Sequence, residues 1–151
     1  MDGGRETRGV GIGAGEALAV AAGVHAGFQV TVTVIVYPAL VARASQLTSE
    51  DWAERHDAHS RRITPVVMAV YASLVATSVW ALLDDPGALT WVTVAALGSV
   101  AVITAVAAAT HGRLGRDGAQ PPLLHRLIAV DRARCAVAVV AAALAVVALA
   151  A

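Results

Sequence analysis

Charge is absent from four long stretches of the chain, Ala17–Ala42, Ile63–Leu83, Pro86–Gly112 and Cys135–Ala151, of 26, 21, 27 and 17 residues. A bilayer core about 30 Å thick takes roughly 20 apolar residues in a helix, with about 17 as the lower bound. The pattern predicts an all-α fold, a bundle of four transmembrane helices over roughly 15–42, 50–83, 88–111 and 123–150, forming one membrane domain across 1–151. The last run is short, so its helix is expected to start near Leu123 and to carry Arg126, Asp131, Arg132 and Arg134 in the interfacial zone. The first run far exceeds the apolar stretch of about 7–15 residues in a signal peptide and reads as a retained helix.

Polar residues inside these runs are ordered. His25, Gln29, Thr33 and Tyr37 recur every four residues, which makes one slowly drifting stripe down a face of the first helix. Pro38 closes it. Helix 2 offers Ser60, Thr64, Met68, Tyr71 and Ser78, and helix 3 offers Thr90, Thr104 and His111. Polar groups in hydrocarbon are costly and normally face a bundle interior or a wet cavity. The expectation is a pocket lined by His25, Gln29, Thr33, Tyr37, Thr64, Tyr71 and His111. The plainer alternative is that the hydroxyls bond local carbonyls and do nothing more. Gly23 and Gly27 form a small-xxx-small pair whose plain reading is a helix–helix contact. Glu16 reads as an interfacial acid reaching outward.

The loops differ. "DDPG" (Asp84–Gly87) has Pro and Gly at turn positions and pins helices 2 and 3 together. "TSED" (Thr48–Asp51) is a capping signature, which predicts a short amphipathic helix from about Glu50 that runs into helix 2 or kinks at Pro65. "GRLGRDGAQPP" (Gly112–Pro122) reads as a flexible connector, with the two prolines stopping any helix before Leu123. "GVGIGAGE" (Gly9–Glu16) lacks the strand and the Lys-Ser/Thr of a phosphate loop.

Composition agrees with the membrane reading: 58% of residues are hydrophobic, 15% are charged and the net charge is zero, so nothing points to nucleic acid. All eleven basic residues are Arg. Nine of them fall on the side shared by the ends of helices 1 and 3 and the starts of helices 2 and 4. Only Arg5 and Arg8 fall on the other. The positive-inside rule then places both long loops in the cytoplasm and both termini outside. The single Cys135 cannot form an internal disulfide and reads as a small apolar filler.

The densest chemistry is "DWAERHDAHSRRITP" (Asp51–Pro65). His56 and His59 are three apart and project from one side of a helix, with Trp52 one turn earlier as an interfacial anchor. By topology His111 and His125 share this end, so four of the five His, with Asp57 and Asp131, are expected at the mouth of the pocket. As a metal site they would be ligands for zinc, iron or copper. The "HDAH" spacing matches no zinc signature, and no metal ligand is assigned. As acid–base groups, imidazoles suit proton transfer to or from an apolar substrate. The remaining reading is interfacial decoration. Arg61 and Arg62 are candidates for a headgroup phosphate, a substrate carboxylate or phenolate, or Asp57.

At "GFQVTVTVIVYPAL" (Gly27–Leu40) the chain resembles a family of small four-helix membrane proteins that includes the fungal anthrone oxygenases; "HSRRITPVVM" (His59–Met68) is similar to that family's start of helix 2. The resemblance implies a membrane enzyme acting on a hydrophobic, aromatic polyketide-like molecule. There a base removes an acidic C–H proton and the carbanion reacts with dioxygen, with no cofactor. Under this reading His25, His59 or His56 is the base, Arg62 or Arg132 stabilises the anion, and the pocket residues hold the substrate. The alternatives are a haem- or metal-binding redox protein using His, a transporter subunit, and a non-catalytic subunit of a membrane complex. Expected partners are the lipid bilayer and a hydrophobic small molecule, with homo-oligomerisation left open.

Overall fold

The computed structural model describes residues 12–44 and 46–151. Arg5, Arg8, Ser45 and the first part of the glycine-rich stretch lie outside the described residues. Four helices make up the fold: α1 (Ala14–Ala44), α2 (Ser49–Asp84), α3 (Ala88–Asp117) and α4 (Pro121–Ala150). The described residues contain no strand. Each helix is long and apolar enough to cross a membrane, so the chain is an all-α, multi-pass membrane protein by the length and composition of its helices.

The bundle is held by small residues. α3 packs most extensively on α4, and α1 packs on both α4 and α2. Ala22, Ala138 and Ala141 are fully enclosed, which lets backbones approach closely where bulkier side chains would hold them apart. Val24, Val34, Met68 and Val102 face outward, as lipid-facing positions do.

Local sequence sets the helix ends. Thr48 caps α2, its hydroxyl oxygen accepting the Asp51 N–H at 3.2 Å. Glu16 accepts the Gly13 N–H at 3.0 Å in the first turn of α1 and stays exposed. Pro65 lies inside α2 without ending it. Two boundaries differ from the sequence expectation. α3 continues through Gly112 to Asp117, and only Gly118, at φ +82, turns the chain. Pro121 and Pro122 open α4 instead of blocking it, because the first-turn N–H groups that proline lacks have no helical partner anyway.

α1 contains a π-turn over Val32–Val36, closed by the Tyr37 N–H bonding the Val32 carbonyl. Pro38 accounts for its position. In a regular α-turn the Pro38 ring would press on the carbonyl of residue 34, and the wider turn makes room. The turn has a second effect. Steps of four residues overshoot a helical turn by about 40° each, so an unbroken helix would carry Tyr37 well away from the face of His25. The extra residue rotates it back, and His25, Gln29 and Tyr37 all end buried.

Candidate functional site

Two polar assemblies share the Arg-rich half of the bundle. The deeper is built around Asp131 of α4, which is 1% exposed. Gln29 Nε2 donates to its Oδ1 at 3.1 Å, the Thr33 hydroxyl donates to its Oδ2 at 2.5 Å, and Arg134 Nη2 donates to Oδ1 at 2.6 Å. The buried carboxyl group thus has three donors, one of them a guanidinium. The same pair would be costly if either member were lost.

The second assembly joins three helices. His56 Nε2 of α2 lies 3.2 Å from His111 Nδ1 of α3, and His111 Nε2 lies 2.8 Å from the Tyr37 hydroxyl of α1. Trp52 stacks on His56 with ring centroids 5.7 Å apart, and its indole N–H donates to the Leu114 carbonyl at 3.1 Å, fixing the start of α2 to the end of α3. Gly115 completes the fit: a Cβ there would stand 3.4 Å from His56 Nδ1. The line has two hydrogen-bonding patterns. Either His111 Nδ1–H donates to His56 and Nε2 accepts from Tyr37, or His56 donates to His111 and His111 donates to Tyr37. The two patterns differ in the tautomer of His111 and in the direction of the Tyr37 hydroxyl.

Two grooves open at this end, and His56 borders both. One, of about 590 Å³, runs between α2 and α3 past Glu54, Asp57, Ser60 and Arg116. The other, of about 430 Å³, lies between the end of α1 and the start of α2, against Ile35, Leu40, Trp52, His59 and Arg62.

The stripe on α1 therefore faces inward but does not line an open pocket. The long Arg134 side chain and Asp131 fill the space beside Gln29 and Thr33. His25 is enclosed, its ring edge-on to Tyr71 at 5.3 Å, and among the described residues neither of its nitrogens has a hydrogen-bond partner. Tyr71 bonds Thr104 across α2 and α3. Thr64 is exposed and donates to the Ser60 carbonyl of its own helix at 2.7 Å, so its hydroxyl needs no interior. Met68 is exposed as well, and Ser78 is buried.

The four-histidine mouth is also corrected. His56 and His111 meet, His59 is half-buried on the second groove, and His125 is exposed. Asp57 is at the surface paired with Arg61, whereas Asp131 is buried inside the bundle. Arg62 is exposed on the second groove, and Arg132 is exposed while its neighbour Arg134 turns inward. Sequence reasoning places Asp131 and Arg134 in the interfacial zone and misses their pairing. The signal is present, since both fall at alternating spacings of four and three with Leu127, Ala138 and Ala141 on the buried face of α4.

As for a metal, the described residues bring no three His, Cys, Asp or Glu side chains together as a ligand group. His25 offers a single donor, which does not make a cage, so no step is derived through a metal. No family model, curated protein or solved structure matches the chain.

Proposed function

We propose that this protein is a small membrane enzyme that removes a proton from a hydrophobic substrate, with the imidazoles of His56 and His59 at the second groove as bases. The observation that carries this reading is the line His56–His111–Tyr37, which connects a groove-facing imidazole to the bundle interior at hydrogen-bonding distances. A base that returns its proton to water is ready for another cycle, and positioned acid–base groups contribute roughly 100- to 10,000-fold in rate. Arg62, beside His59, supplies a cation for the enolate that proton loss leaves behind. The polar groove past Glu54 and Asp57 gives His56 access to water for release of the proton.

The likeness to the anthrone oxygenase family extends the proposal to dioxygen chemistry. The carbanion left by C–H deprotonation adds to O₂, the resulting peroxide anion takes the proton up again, and the hydroperoxide loses water to leave a carbonyl. Each turnover consumes one O₂ and releases one water. The Arg-rich end is placed in the cytoplasm, supported by the distribution of Arg between the two ends.

Anthrone is a direct probe. Proteoliposomes of the wild-type protein should consume one O₂ per anthraquinone formed. Uptake no faster than in protein-free vesicles removes the oxygenase reading.

A further inference from the structure

The second groove has a composition that selects its ligand. One wall, Ile35, Val36, Ala39 and Leu40, is apolar and belongs to the uncharged run of α1, at hydrocarbon depth. Arg43 of α1 and Arg55 and Arg62 of α2 also line the groove. No Asp or Glu lines the groove, and among the described residues none of these three Arg forms a salt bridge. By contrast, Arg61, one residue from Arg62, is paired with Asp57 outside the groove. Three guanidiniums without a salt bridge, in one groove with an apolar wall, match a molecule with an anionic head and an apolar body. Guanidinium forks bind carboxylate or phosphate oxygens bidentately, which an ammonium cannot reproduce.

We propose that this groove binds a diffusible, single-chain anionic amphiphile, with its oxyanion among Arg43, Arg55 and Arg62 and its apolar part along Ile35–Leu40. The volume, about 430 Å³, is at the small end of ligand sites and suits one chain and one head better than a two-chain phospholipid. Such a ligand would lie in register with the bilayer, its head at the interface and its tail in hydrocarbon. His56 and His59 would then stand beside the carbons next to the head. As an assignment of substrate class this rests on the enzyme reading above; as a binding site it does not.

The test measures binding without turnover. The protein, in nanodiscs of neutral phosphatidylcholine, is irradiated with a trace of diazirine-labelled hexadecanoate, and the labelled peptides are mapped. Labelling is expected within 35–62, competed by hexadecanoate but not by hexadecanol. It should fall about tenfold or more in Arg43→Gln/Arg62→Gln, with partial recovery in the corresponding Lys variants. Arg61→Gln, outside the groove, should keep the labelling, and because binding is read without turnover a failed turnover assay leaves this result intact and the two proposals fail separately. Equal competition by hexadecanol, labelling outside the groove, or an undiminished signal in the double variant overturns the proposal. Equal competition by phosphatidylglycerol also overturns it, since it would mean general headgroup adsorption.

Discussion

His56 Nε2 stands 3.2 Å from His111 Nδ1, although the two residues are 55 positions apart in the chain. Three features bring them together. Trp52 ties the start of α2 to the Leu114 carbonyl, Gly115 offers no side chain where the His56 ring lies, and Tyr37 meets the far nitrogen of His111. The π-turn before Pro38 holds Tyr37 on the inner face of α1. Each of these depends on an identifiable residue, so each can be perturbed.

Gly115 is the most selective handle on this contact. Gly115→Ala places a methyl 3.4 Å from His56 Nδ1, a distance an imidazole accommodates with little movement. Gly115→Leu cannot be accommodated without displacing the ring. In ¹⁵N-histidine-labelled protein in bilayers, the His56–His111 nitrogen correlation should survive in the Ala variant and vanish in the Leu variant. Its persistence in Gly115→Leu would show that the contact does not depend on this gap.

The Asp131–Arg134 pair governs stability. Asp131→Ala leaves a buried guanidinium without its counter-ion, a loss of about 3–5 kcal/mol. Replacing both by Leu should cost much less than the sum of the single changes, because no charge remains buried. Thermal unfolding in detergent, followed by circular dichroism, measures Asp131→Ala, Arg134→Ala and the double Leu variant. Additive losses would mean that the pair is not coupled.

The proposed topology rests on Arg placement. Reporter fusions after Ala151 should report the outside, and fusions within 115–119 the cytoplasm. A cytoplasmic carboxyl terminus reverses the orientation and moves both grooves to the opposite face of the membrane.

The four helices are legible in the sequence because hydrocarbon excludes charge, and uncharged runs of sufficient length are uncommon outside membrane spans. The inward stripe on α1 is legible for the same reason, since His25 and Gln29 have no inexpensive place in lipid. The partners are harder to see. Arg132 and Arg134 look equivalent as letters, and only the buried face of α4, running through Leu127, Ala138 and Ala141, distinguishes them. Thr64 resembles part of a lining, but a hydroxyl can satisfy itself on its own helix. His59 looks better placed than His56 because it lies closer to the apolar run. The contact of His56 with His111 depends on Gly115, in another helix, which no local pattern around the histidines reveals.

The central claim is that His56, held in place by its hydrogen-bonded line through His111 to Tyr37, takes the proton from the substrate. The most direct measurement is anthrone conversion in proteoliposomes at matched protein level for the wild type, His56→Ala, His111→Ala and Tyr37→Phe, with retained helix content as the control for folding. The account predicts losses on the order of 100- to 10,000-fold for His56→Ala and a clear loss for each of the other two. Turnover undiminished in all three variants would contradict it.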